Sequence, residues 1–194
     1  METLQKHPYQ PFVSKNTTKL IIGSIPPPRF CKPSIGVLYK DDIDWYYGSN
    51  RNNFWELFNI GALPLMHGIK ARQDLLIKMK VGITDIIQSC IRKKLNIASD
   101  KNLKDCTHKN IKDLLNKYSA INTLLYTSEF VKKQMEIALR AKHMLTNEKR
   151  KFKIMINGKE YMAYQLYSPS PMGLIHLGKG GKEKRKQQYK EIFG

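Results

Sequence analysis

The sequence predicts an α/β protein, a three-layer sandwich with a central, largely parallel sheet flanked by helices. Three observations predict it. Short apolar runs bounded by Gly, Pro or Ser, at 18–23 and 121–128, have the length and composition of buried strands. Each is followed by a loop and then by apolar residues at helical spacing, the alternation that builds a parallel sheet with its crevice at the carboxyl ends of the strands. Later, Asn157-Gly158 stands between two extended segments, the signature of a type I′ hairpin. At 194 residues, with no Gly/Ser linker, residues 1–194 form a single domain.

Taken in order, "TKLIIG" is a strand feeding a long loop that runs to about Tyr47 and carries three consecutive prolines, Pro26 to Pro28. From Asn50, "NRNNFWELFNIGA" fits a helix over 51–60, capped by Asn and stopped by Gly61. "IKARQDLLIKMKVG" is a second helix. "VGITDIIQSCIRK" is ambiguous between strand and helix, because a short apolar run has no decisive period. Residues 110–118 are helical. "INTLLYTS" is a strand, and Val131, Met135, Ala138 and Leu139 then recur at helical spacing behind a Thr/Ser cap. The second arm of the Asn157-Gly158 hairpin runs into Ser-Pro-Ser-Pro. The tail is glycine-rich and then a basic helix over about 181–193, with Tyr189, Ile192 and Phe193 on one face.

Charge carries the first functional content: 34 Lys and Arg against 16 Asp and Glu leave +18. Such an excess concentrates polyanions at the surface, and nucleic acid is the commonest one; a Lys-rich proteome would give the same composition without that meaning. Cys31, Cys90 and Cys106 are too few and too far apart for a four-ligand metal site, so no metal is expected. With no signal peptide or membrane-length apolar run, the expected setting is cytoplasmic. His7, His67, His108, His143 and His176 stand singly and read as surface or structural side chains.

Three segments, in order, resemble the uracil-DNA glycosylase superfamily: "LIIGSIPPP", "YYGSNRNNFW" and "YSPSP". The middle one is most similar to the mismatch-specific and hypoxanthine-DNA glycosylase branches, and "GITDIIQSCIRK" resembles the segment that follows in the latter. The likeness spans residues 19–172. It implies base excision repair: a monofunctional, cofactor-free DNA glycosylase that acts as a monomer on duplex DNA carrying a damaged or mismatched base. Two departures stand out. Ile25 occupies the first loop where many members carry a water-positioning Asn or Asp, and Ser168 stands where a histidine often precedes Pro-Ser-Pro. The hypoxanthine-like branch places its catalytic Asn in the middle segment, which maps to Asn52.

The chemistry fits these residue types. Cleaving an N-glycosidic bond leaves positive charge on the sugar and negative charge on the base, so preorganised dipoles and a positioned water suffice. The base must be flipped from the stack into a pocket, here expected from Gly23, Ser24, Ile25, Tyr46, Tyr47 and Asp85, with a tyrosine stacking and the Asn52 amide reading one edge. Ser168, Pro169, Ser170, Pro171 and Met172 would grip the strand, Met172 as a wedge, while Lys179, Lys182, Arg185 and their basic neighbours neutralise phosphates. The residues by themselves leave alternatives open. Asn50 or Asn52 is also a helix cap, Phe54 and Trp55 read as core, Met172 as loop packing, the basic tail as a solvated face, and Asp85 and Asp100 as cap or turn residues. At the level of function, the excised base is expected to be uracil or hypoxanthine. The alternatives are a catalytically silent nucleic-acid-binding module on the same fold and a small-molecule nucleoside hydrolase.

Overall fold

Among the described residues the strands fall into two sheets. In the computed structural model, residues 3–58 and 68–194 are described. In chain order the strands are β1 (Leu4–Lys6), β2 (Lys19–Gly23), β3 (Val81–Asp85), β4 (Ile87–Arg92), β5 (Leu103–His108), β6 (Thr123–Tyr126), β7 (Met144–Leu145), β8 (Lys151–Ile156) and β9 (Lys159–Gln165). The main sheet runs β3-β2-β6-β9-β8-β7, and a smaller one runs β1-β4-β5. In the main sheet β3, β2, β6 and β9 are mutually parallel, and β8 and β7 close one edge antiparallel. The sheet is therefore mixed. The reversal comes from Asn157 (φ 51°) and Gly158 (φ 78°), both in the left-handed region that a type I′ turn requires.

Among the described residues six α-helices accompany the strands: α1 (Phe54–Phe58), α2 (Ile69–Lys78), α3 (Ile111–Lys117), α4 (Glu129–Leu139), α5 (Pro171–Ile175) and α6 (Gly181–Phe193). Period-two alternation on the central strands makes the third layer. Leu20, Ile22, Leu124 and Tyr126 face a core shared with Ile111 and Leu115 of α3, Val131 and Met135 of α4, and Cys90 of the small sheet. Ile21, Ile83 and Leu125 face the other way, against Phe54 and Phe58 of α1, Leu76 of α2, and Tyr189 and Phe193 of α6. Strands buried on both faces read as continuous apolar runs, which is why they stood out in the sequence.

The ambiguous segment 81–92 is two strands in different sheets, parted at Ile86, whose N–H donates to Gly23 O at 2.8 Å. β1 and β5 were not expected; they are short or mostly polar, and pairing with β4 makes them strands. Helix starts follow their caps: Asn110 Oδ1 accepts from Asp113 N at 3.1 Å, and Ser128 Oγ from Val131 N at 3.2 Å. Helix 51–60 begins only at Phe54, and its expected stop at Gly61 lies outside the described residues, as does His67. The Ser-Pro loop holds a short helix where only a loop was expected. Ser170 caps it, accepting from Gly173 N at 3.1 Å, and Pro171 follows at the first helical position, which needs no N–H.

Candidate active site

The carboxyl ends of β2, β3 and β6 meet at the position where the order of the sheet reverses around β2, the place at which open α/β sheets bind ligands. Gly23 and Asp85 are register partners there. A Cβ on Gly23 would overlap both Asp85 Oδ1 and Tyr47 Oη, so only glycine admits this approach. Tyr47 holds the left-handed backbone (φ 51°), a strained conformation for a bulky residue, costing about 1–3 kcal/mol. Its ring stacks on Phe54 with centroids 4.2 Å apart, and its hydroxyl donates to Thr127 Oγ1 at 3.3 Å. Burial, with the charge of Asp85 adding to it, pushes the Tyr47 phenol well above its ordinary range, so it stays a hydroxyl donor.

The first loop is held from behind. Carbonyls of Gly23 and Ser24 accept from Ile86 N (2.8 Å) and Ile87 N (3.1 Å), while nothing among the described residues accepts from the N–H groups of Ser24 and Ile25. Ile25, expected in the base pocket, is 8% exposed and packs in the core with Ile22, Ile86 and Ile87, where its apolar side chain is driven out of water. The proline stretch turns through a short 3₁₀ helix, Pro28–Phe30. Its Pro26 carbonyl accepts from Arg92 Nη2 at 2.7 Å and from the Cys31 thiol at 3.3 Å. Burial pushes that thiol up to about 11, which keeps it a donor. Beside the loop, burial raises the Asp100 carboxyl, while the hydroxyls of Ser24 and Ser128 oppose the shift; Ser128 Oγ donates to Asp100 Oδ2 at 3.2 Å.

In the middle segment the two tyrosines separate. Tyr46, expected as a stacking residue, is 1% exposed and donates to Gln10 O at 3.1 Å, with its ring against His7, Tyr9 and Trp45. It is core. Tyr47 remains at the strand ends. Phe54 and Trp55 are core, as their helical positions implied. Half-buried Asn52 uses its Oδ1 to accept from Phe54 N at 2.9 Å, and its Nδ2 has no partner among the described residues. The cap and the free donor coexist on one side chain.

The last loop docks on that segment: Asn53 N donates to Pro169 O at 3.2 Å. Ser168 Oγ and Ser170 Oγ lie 3.0 Å apart. Arg185, expected at phosphates, is 3% exposed and donates from Nη1 to Ser168 O (3.1 Å) and Ser170 O (3.3 Å). It braces the loop from below, because α6 turns this position inward with Tyr189 and Phe193. Met172 (60% exposed) and Ile175 project outward, and Lys179 and Lys182 are solvent-exposed nearby.

Neither a family model nor any curated protein matches this sequence. The fold does find a counterpart: the solution NMR structure of a "putative Uracil DNA glycosylase" from Methanosarcina acetivorans superposes with a TM-score of 0.63 at 17% identity, covering 98% of this chain and 99% of that one. The two chains share one fold.

On that shared fold, one group was missed. His7, read from sequence as surface or structural, is 7% exposed, and its Nε2 lies 2.8 Å from Asp85 Oδ2. Lys109 Nζ reaches His7 Nδ1 at 3.0 Å. No local signal marks either residue, since both are far from Asp85 in sequence. Among the described residues no three His, Cys, Asp or Glu side chains gather to hold a metal ion.

Proposed function

We propose that the protein is a monofunctional DNA glycosylase that excises a deaminated base, uracil or hypoxanthine, from duplex DNA. The observation that carries this reading is the docking of three loops at one set of strand ends: Gly23-Ser24, Tyr47 through Asn53, and Ser168 through Pro171, tied by the Tyr47–Thr127 and Asn53–Pro169 hydrogen bonds. The likeness in fold to the Methanosarcina acetivorans structure supports it.

Each part has a task in that reaction. A base flipped to the strand ends stacks on the Tyr47 ring. Because Asn52 Oδ1 is engaged by Phe54 N, the side chain offers Nδ2 as a donor, and deamination is the change that replaces an amino donor by a keto acceptor. The donor therefore selects uracil over cytosine and hypoxanthine over adenine. The N–H groups of Ser24 and Ile25 meet negative charge developing on the departing base. Ser168, Ser170 and the exposed lysines of the tail bind phosphates, and Met172 fills the vacated stack.

Single-turnover incubation with labelled duplexes containing uracil, hypoxanthine or xanthine, followed by alkaline cleavage of abasic sites, tests the reading. Release from one duplex, lost in Asn52→Ala with DNA affinity retained, establishes it. A second reading, a silent DNA-binding module, is favoured by one observation: position 25 of the first loop holds an apolar Ile packed in the core. Tight, salt-dependent binding with no release from any duplex would select it.

A further inference from the structure

The Asp85 carboxylate is asymmetrically engaged. Oδ2 faces His7 Nε2, and the His7 side chain is 0% exposed. Oδ1 has no hydrogen-bond partner among the described residues and lies over Gly23 beside Tyr47 Oη, at the strand ends. Asp85 thus has one oxygen bound from behind and the other presented to the site.

Behind it, His7 is itself fixed. Its backbone N–H donates to Gln88 O at 2.9 Å, and its Nδ1 faces Tyr9 O (2.9 Å), Lys109 Nζ (3.0 Å) and Tyr9 N (3.1 Å), one acceptor and two donors. The Asp85 oxygen that faces Nε2 only accepts, so the nitrogen directed at Asp85 carries a proton. Lys109 is anchored in turn: its backbone N–H donates to Ile86 O at 2.9 Å, and its ammonium also donates to Tyr9 O at 2.9 Å. Burial pulls that ammonium down to about 8, while the charge of Asp85 works the other way. The three residues come from different parts of the fold: the end of β1, the end of β3 and the turn after β5. A purely structural ion pair would not need a carboxylate oxygen left open toward a glycine that only glycine can be.

We propose that His7 and Lys109 are positioning residues that hold the Asp85 carboxylate with Oδ1 turned toward the scissile bond, where it activates the hydrolytic water; this rests on the glycosylase reading. Water oxygen bonds to C1′ as the C1′–N bond breaks, and the electron pair of that bond leaves with the base. One water proton passes to Asp85 Oδ1 and then to solvent, and the departing base takes a proton from solvent. The products are the free base and an abasic sugar, with water the sole co-reactant. Asp85 stands on β3, so the role can be filled although position 25 of the first loop holds an apolar Ile.

The test compares single-turnover base release and DNA affinity in the wild type, His7→Leu, His7→Gln, Lys109→Met and Asp85→Asn, each checked for folding by thermal melting. Asp85→Asn is expected to lose about 10²-fold or more in rate. His7→Leu is expected to lose about 10- to 100-fold, the range typical of a residue orienting a functional ligand from behind, with unchanged affinity for DNA. His7→Gln, whose amide can donate to Oδ2 and accept from Lys109, is expected near the wild type. Release by His7→Leu as fast as by the wild type overturns the inference and leaves the glycosylase reading standing. If the wild type releases no base from any duplex, the glycosylase reading and the catalytic role fall together. ¹⁵N NMR of the His7 ring judges the chain itself without any activity: a proton on Nε2 supports it, and an Nε2 that carries none overturns it.

Discussion

Arg92, on β4 of the small sheet, donates from Nη2 to the carbonyl of Pro26 at 2.7 Å, joining the two sheets at the first loop of the site. Its Nε also donates to Gln5 Oε1, and the side chain is 1% exposed. A stiff loop with three prolines has few N–H groups of its own to anchor it. The small sheet supplies the anchor instead.

Removing that anchor should cost more than its hydrogen bonds. Arg92→Met leaves the buried Gln5 Oε1 without its donor, which costs about 1–3 kcal/mol, and leaves the Pro26 carbonyl only the weak Cys31 thiol. Urea unfolding should show a loss of roughly 3 kcal/mol, and base release should fall further than the folded fraction does, because the first loop is no longer held in register with Asp85.

Gly23→Ala tests the close approach at the strand ends. The added methyl meets Asp85 Oδ1 and Tyr47 Oη, so both side chains must be displaced. The expected outcome is a folded protein that binds DNA with affinity near the wild type and releases base at least about 10²-fold more slowly, the scale of losing one preorganised group.

The basic tail divides into two classes of cation that salt titration separates. Lys182 is exposed, and Lys182→Ala should reduce the slope of log affinity against log salt by about 0.9 if it meets one phosphate. Arg185 is buried against Ser168 O and Ser170 O. Arg185→Met should leave the salt slope unchanged and instead lower the melting temperature.

Asp100 gives a pH prediction with a definite sign. Burial raises its folded-state pKa above the ordinary value of about 3.9, so the folded protein favours the protonated acid. The stability this provides is present below the ordinary value and is lost as pH rises through the folded-state value. Asp100→Asn, which keeps an acceptor for Ser128, should melt together with the wild type at about pH 3.5 and above it at neutral pH. A constant difference across that range would separate Asp100 from the effect.

Asp42 behaves oppositely. Burial alone would raise it, but Arg29 and the N–H groups of Asn50 and Tyr39 outweigh burial and hold it below the ordinary carboxylate range. Its oxygens bind Arg29 at 2.7 and 3.0 Å, tying the two ends of the long loop. Stability from this group is present above the ordinary value and lost as pH falls through the folded one. Asp42→Ala should make residues 31–50 exchange amide hydrogens faster at neutral pH and remove that acid-dependent step.

How much of this was legible depended on whether a signal was local. "LIIG" and "TLLY" read as strands because both of their faces are buried, and Asn157-Gly158 as a hairpin because its turn needs left-handed backbone at two successive residues. Helix caps at Asn110 and Ser128 lie within three residues of what they bind. β1 and β5 had no such signal; they are strands because β4 lies between them. Likewise, a basic residue in a basic helix looks like its neighbours, and only helical phase against the core turned Arg185 inward while Lys182 stayed in water. Tyr46 and Tyr47 are adjacent in sequence, yet left-handed backbone at Tyr47 sends one ring to the core and the other to the strand ends.

The sequence by itself determined the alternation of strands and helices, the hairpin and the basic tail helix, because periodicity, turn chemistry and caps act over a few residues. Tertiary structure alone decided what stands behind those loops. His7, Asp85 and Lys109 are separated by 78 and 102 positions counted from His7, and Arg92 reaches Pro26 across 66. Contacts at such separations arise only when packing of the two sheets has overcome the entropy of closing the chain, and no short stretch of residues records which distant side chain will arrive.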